Sequence, residues 1–487
     1  MMGLPAKYRQ RDDPSYFIDA ASNLVYQPHV YELAAFIASR AGIGAVIDVG
    51  CGSGQKLGAF SKGQRVIGVD FGPNEQIFRA NNPGAAWVSC DLERSAPSFS
   101  DAQLADSLVI CADVIEHLRS PAELVQFLVR ASRVAPYVLI STPDRDRVRG
   151  WLDMGPPANP SHVREWSGPE LLRYLVAEGL DPGTLHGHTI NTLTHRVNST
   201  ILIVAGREAT FRPPIARPRV AAIMHVFNEE DIVEESVRHL VSQGVEVHAF
   251  DNWSTDATWA VLERLRAERL VAYCARFPDR PTGEYRWREQ LGHTSTYARS
   301  IDAEWVLHHD ADEFRCSPWP GVSLRDGIAH AEAAGYNAID FTVIDFRFTR
   351  DQKSIRSEFQ DGLRHFEFGR RPGHFLQIKG WRNSSSVDLA ASGGHDANFP
   401  GRRVFPMKFL LKHYPLRNAD QARRKVFEDR LPRTSGERAA FGWHGHYSVF
   451  EAGSEVPPWD AHQLHTWSEQ LFRTEFLVQR LGGIGVR

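Results

Sequence analysis

Short apolar runs that end in glycine or an acid alternate with amphipathic stretches along the first 206 residues: AVIDVG, RVIGVD, AAWVSCD, SLVICADV and YVLIST, with PAELVQFLVRASRV among the intervening segments. Unbroken apolar runs of this length predict strands buried on both faces, and alternation with helical segments predicts a parallel sheet flanked by helices. The pattern breaks at GREATFRPPIARPRV, where Pro213, Pro214 and Pro218 sit among arginines. Proline at this density neither extends a helix nor joins a central strand, so the segment reads as an extended linker. The alternation then resumes with VAAIMHVF, EVHAFDN, LVAYCAR and EWVLHHD. The fold class is therefore α/β, with expected domains 1–206 and 220–487 joined by a linker at 207–219.

The length, 487 residues, exceeds the size at which one core stops growing, which agrees with two domains. Hydrophobic residues at 42% and charged residues at 24% are those of a folded globular chain. A net charge of -3 gives no reason to expect nucleic acid or an anionic membrane as partner. No apolar stretch approaches the roughly 20 residues of a membrane span, and MMGLPAKYRQRDDPSYF lacks the apolar centre of a signal peptide, so the expectation is a cytoplasmic protein without a transmembrane segment. The five scattered cysteines fit a reducing compartment better than a disulfide frame. Oligomeric state is not legible.

In the first unit, VIDVGCGSG is a strand entering a turn with Gly50, Gly52 and Gly54, followed by the predicted helix QKLGAF. Glycines there let the backbone turn sharply and approach a ligand. Strand ends follow at Asp70, Asp91 and Asp113, and acids at successive carboxyl ends of a parallel sheet share the rim where such sheets bind ligands. Each acid alone reads equally well as a helix cap. The order DVGCGSG, GVD, CDLE, DVIEHL resembles the class I S-adenosylmethionine-dependent methyltransferases, whose fold is Rossmann-like, over roughly residues 25–206. The resemblance implies that the Gly50–Gly54 turn embraces the amino-acid end of S-adenosylmethionine above Asp48. Asp70 would hold the ribose, Asp91 and Leu92 would frame the adenine, and Asp113 would stand on the same rim. Lys56 and Leu57 stand where a dinucleotide fingerprint has its third glycine, which counts against NAD. His117 and His162 are candidate bases for an acceptor hydroxyl, or packed histidines. The upstream SYFIDAASNLVYQPHVYEL, with Tyr26, Gln27 and Tyr31, is expected to cover the cofactor.

In the second unit, FNEED, FDNWSTDAT and WVLHHDADEF resemble, in that order, the family 2 type glycosyltransferases of GT-A fold, over about residues 218–430. The resemblance implies that Asp310 and Asp312 hold Mn²⁺ or Mg²⁺ against the diphosphate of a nucleotide-sugar, since hard oxygen donors suit these ions. Glu229 and Asp251 would face the nucleoside, although Asn252 replaces the second acid often found there. His413, in FLLKHYPLRNADQARRK, is a candidate third metal ligand or a strand-edge histidine, and Arg417 or Lys425 would pair with phosphates. Asp396 and Asp345 are candidate bases for an acceptor hydroxyl. Tyr285, Trp287 and Trp381 stack on sugar or belong to the core.

The combined expectation is a bifunctional transferase: a methyltransferase acting on oxygen, and a metal-dependent glycosyltransferase using a nucleotide-diphosphate sugar donor. Its acceptor would be a saccharide, as a surface glycan or lipid-linked precursor. The alternatives are tailoring of a small natural product, or one unit serving as a non-catalytic acceptor-binding module.

Overall fold

The computed structural model describes residues 2–15, 25–60, 63–195, 197–352, 354–368, 376–383, 387–443 and 455–468. These fall into two compact units divided between Arg212 and Pro213.

The first unit is built on a seven-stranded sheet. Its strands are β1 (Ala45–Val49), β2 (Arg65–Asp70), β3 (Ala86–Ser89), β4 (Ser107–Ala112), β5 (Tyr137–Pro143), β6 (Leu185–Thr189) and β7 (Thr200–Ala205), in the order β3-β2-β1-β4-β5-β7-β6. β1 to β5 run parallel, and β7 is antiparallel to both β5 and β6. Every residue of β1, β4 and β5 is buried, as the unbroken apolar runs require. Helix Pro28–Ala41 begins with proline in its first turn and stops at left-handed Gly42. Helix Ala122–Val134 buries Leu124, Val125, Leu128 and Ala131 on one face. Burial of each such leucine contributes about 2 kcal/mol. QKLGAF forms a 3₁₀ helix, Gln55–Phe60, instead of an α-helix. A segment this short with Gly58 inside it lacks the propensity to nucleate an α-helix.

The second unit has two sheets. The six-stranded sheet contains β8 (Val220–Val226), β9 (Val245–Asp251), β10 (Tyr273–Arg276), β11 (Trp305–His309), β13 (Ala338–Ile339) and β16 (Gly380–Arg382), in the order β10-β9-β8-β11-β16-β13. β8 to β11 are parallel, and β16 is antiparallel to its two neighbours. The five-stranded sheet contains β12 (Glu313–Cys316), β14 (Phe341–Arg347), β15 (His365–Phe368), β17 (Phe409–Leu416) and β18 (His465–Thr466), in the order β12-β17-β14-β15-β18. The chain passes from one sheet to the other between β11 and β12, through Asp310, Ala311 and Asp312 alone. The acids of HHDADEF therefore stand at the junction of two buried sheets. Among the described residues no helix is long and apolar enough to cross a membrane.

Candidate active sites

The second unit holds a cavity of about 230 Å³ where its two sheets meet, lined by Glu229, Tyr285, Trp287, Asp310, Asp312, Lys379, His413, Lys425 and Arg430. Lys379 Nζ lies 3.0 Å from Asp310 Oδ2 and 2.7 Å from Glu313 Oε1. Lys425 Nζ lies 2.7 Å from Asp312 Oδ2 and 2.8 Å from Glu229 Oε1, and Arg417 closes the network on Glu229 and Asp231, at 2.7 Å from each. Burial by itself would raise the pKa of both aspartates. Lys379 instead holds Asp310 well below the carboxylate range, and Lys425 with His413 does the same for Asp312.

This arrangement does not fit the expected resident Mn²⁺ or Mg²⁺. Each aspartate already carries an ammonium partner. His413 turns Nδ1 to Asp345 at 2.7 Å and keeps Nε2 3.7 Å from Asp312, with its pKa raised by both acids against the effect of burial. A histidine held towards its charged form is a poor metal ligand.

Other expectations for this unit also shift. Asp251 is fully buried beside Arg276 and accepts from the Ser254 N–H at 3.2–3.3 Å, so it caps a turn and does not line the cavity. Asp345 stands behind His413, and Asp396 is engaged by Arg402; neither candidate base lines the cavity. Tyr285 and Trp287 stack at 5.7 Å and do line it, whereas Trp381 belongs to the core.

In the first unit, a cavity of about 460 Å³ opens at the carboxyl ends of β1, β2 and β4. Gly50 and Gly52 form one wall, with positive φ of 77° and 53°. A Cβ on Gly50 would lie 2.4 Å from Val114 Cγ2, so only glycine fits. Gly52 N–H donates to Asp70 Oδ2 at 2.7 Å, tying the turn to the end of β2, and Phe71 N–H occupies Oδ1 at 2.7 Å. Gly54 lies off the cavity, where a Cβ would strike Asn82 and Phe78 at 2.4 and 2.5 Å. Asp48 is buried beneath the turn and accepts from the Tyr31 hydroxyl at 3.1 Å.

Asp91 and Leu92 line the cavity together, and Asp91 also accepts from Glu93 N–H at 3.1 Å, so capping and lining coexist in one residue. Asp113 lines the cavity in a left-handed conformation, φ 55°, fixed by the side chain of Gln27, which in turn accepts from Ser141. Burial raises the pKa of Asp113. His117 and His162 meet edge-on with ring centroids 4.8 Å apart, and both line the cavity. Burial, followed by the neighbouring His162, pushes the His117 imidazole down to about 3. Tyr26 lines the cavity as well, while residues 16–24 of the expected covering segment lie outside the described residues.

The family model described as "Methyltransferase domain" matches residues 27–184. Residues 27–184 form a class I methyltransferase domain. Relatives include a "Probable S-adenosylmethionine-dependent methyltransferase" of Mycolicibacterium smegmatis, 28% identical over 165 residues, a match covering 32% of this chain and 61% of the relative. The "Ubiquinone biosynthesis O-methyltransferase" of Methylococcus capsulatus is 27% identical over 186 residues, covering 35% of this chain and 77% of that protein. The chain spans about three fifths of the length of the first curated relatives it matches. A solved S-adenosylmethionine-dependent methyltransferase from Mesorhizobium loti shares 19% identity over 36% of this chain and 97% of its own, with a TM-score of 0.28.

Three residues of the methyltransferase domain's cavity region escaped the sequence reading. Lys56, where a third glycine was absent, lines the cavity and lies over the Tyr31 ring at 4.6 Å. Ser161 lines it and offers its carbonyl to His117 Nδ1 at 2.9 Å. Glu116, the residue before His117 in DVIEHL, is fully buried beside Asp113, and burial followed by Asp113 raises its pKa strongly.

Proposed function

We propose that the first unit transfers a methyl group from S-adenosylmethionine to an acceptor hydroxyl, and that the second transfers a sugar from a nucleotide-diphosphate donor, both acting on a saccharide such as a surface glycan or lipid-linked precursor. The observation that carries the first half is the Gly50–Gly52 wall locked to Asp70 at the rim where Asp91 and Leu92 also stand. Asp70 would take the ribose hydroxyls, Asp91 and Leu92 the adenine edge, and the glycine turn the amino-acid end. A sulfonium is an activated leaving group, so the domain's task is alignment of nucleophile, methyl and sulfur. Acceptance of a hydroxyl is supported by the ubiquinone biosynthesis O-methyltransferases among its relatives.

Asp70→Ala removes a charged acceptor that also fixes the turn. Calorimetric titration with S-adenosylhomocysteine is expected to show affinity falling by roughly 10- to 100-fold, in line with about 1.5–3 kcal/mol for a hydrogen bond to a charged group. Undiminished affinity would remove Asp70 from the cofactor site.

For the second unit the supporting geometry is the acid-and-lysine rim between two sheets, faced by the stacked Tyr285 and Trp287. The lysines would release their carboxylate partners to accept the donor's phosphates. A second reading, acceptor docking without chemistry, is favoured by the absence of Asp345 and Asp396 from the cavity wall. A panel of nucleotide-sugars, each incubated with chelator or with Mn²⁺, separates the two. Hydrolysis or transfer of one donor is expected, and persisting with chelator, because Lys379 and Lys425 supply the positive charge that would face the donor's phosphates. Binding of no nucleoside diphosphate would leave the docking reading.

A further inference from the structure

We propose that Glu116, His117 and His162 form a binding site for a single divalent transition-metal ion, Zn²⁺ in chemistry, beside the first unit's cavity. One carboxylate oxygen and one nitrogen from each imidazole lie within 4.8 Å of one another, the one such group of three donors among the described residues. Two imidazoles and a carboxylate are a donor set that suits Zn²⁺ and leaves a fourth position for substrate.

The surroundings hold the imidazoles as ligands are held. His117 Nδ1–H donates to the Ser161 carbonyl at 2.9 Å, which leaves Nε2 as the ring's basic nitrogen. His162 Nδ1 is 2.7 Å from Glu165 Oε1, and Arg149 Nη2 in turn sits 3.0 Å from Glu165 Oε2. Asn159 Nδ2 lies 2.9 Å from His162 Nε2, the contact an incoming ion would displace. An imidazole whose other nitrogen donates to a carbonyl or carboxylate is fixed in tautomer and orientation for metal binding.

Glu116 supplies the independent observation. Its carboxyl group is 0% exposed, and neither oxygen completes a hydrogen bond, although Asp113 and Thr142 face it. A carboxylate buried against a second acid is costly unless a cation joins it. His117 and His162 open onto the cavity, so an ion held there would reach an acceptor oxygen. The ion's role rests on the O-methyltransferase reading: it would lower the pKa of a bound acceptor hydroxyl, whose proton would pass to solvent water in the open cavity as the oxygen takes the methyl group and S-adenosylhomocysteine leaves.

The test uses the full chain, stripped with chelator, desalted and titrated with Zn²⁺ in a calorimeter. His162→Ala and Glu116→Gln are each expected to weaken one site by at least about 100-fold, whereas the double variant Asp310→Asn, Asp312→Asn keeps it. Titration with S-adenosylhomocysteine checks that each variant is folded, and if Glu116→Gln fails that check His162→Ala decides alone. The proposal is overturned if the stripped protein takes up no ion, if both variants bind as the parent does, or if only the Asp310/Asp312 variant loses binding. Failure of the parent chain to bind S-adenosylhomocysteine would strike the methyltransferase reading and leave the ion result standing.

Discussion

Replacing Gly50 with valine is expected to weaken S-adenosylhomocysteine binding severely while circular dichroism shows the chain still folded. Two physical effects act together at this position. The backbone φ of 77° is one that β-branched residues avoid, at about 1–3 kcal/mol, and a Cβ would lie 2.4 Å from Val114 Cγ2. Crowding a packed contact adds roughly 1–3 kcal/mol. The cheapest relief is rotation of the turn, which breaks the bond from Gly52 N–H to Asp70 Oδ2 and moves the wall against which the cofactor would lie. Affinity should fall by more than about 30-fold, equivalent to roughly 2 kcal/mol. Gly58→Ala is the control, because a Cβ there meets nothing within 4 Å. A valine variant that binds as tightly as the glycine parent would exclude the turn from the cofactor site.

The second large effect is on stability. Lys379→Met would leave Asp310 and Glu313 facing each other without the shared ammonium, although Arg315 still reaches Glu313. Removing one partner of a buried charge pair costs about 3–5 kcal/mol. For a unit of this size that corresponds to a fall in Tm of roughly 10 °C. The effect is also pH-dependent. A carboxylate with a depressed folded pKa contributes stability that is present above its unfolded pKa, about 3.9, and is lost as pH falls towards the folded value. The difference between parent and variant should therefore be complete at pH 7 and shrink below about pH 4. Thermal melts at pH 7 and pH 3 measure both parts, and equal Tm values at pH 7 would show that Lys379 carries no net stabilisation.

Where a strand end determined a residue's place, the site was legible. Gly50, Asp70 and Asp113 follow apolar runs whose parallel register brings their ends to one rim, so their meeting followed from pattern alone. Asp251 also ends a strand, yet its carboxylate turns to Ser254, three residues away, because a local N–H was available. Asp345 and Asp396 are legible only as acids of a suitable type, and their partners, His413 and Arg402, occupy them. Lys379 and Lys425 were not legible as partners of the acidic pair, since they arrive from 69 and 113 residues away in the chain.

The sequence by itself determined the two α/β units, the break near Pro213, the glycine turn and the acidic strand ends, because strand burial and backbone conformation depend on local composition and period. Tertiary structure decided which charges cancel. It set Lys379 and Lys425 against Asp310 and Asp312, and it brought His162 to Glu116 and His117. Such pairings depend on how distant elements pack and on the desolvation that packing imposes, and neither quantity is written in the spacing of residues along a chain.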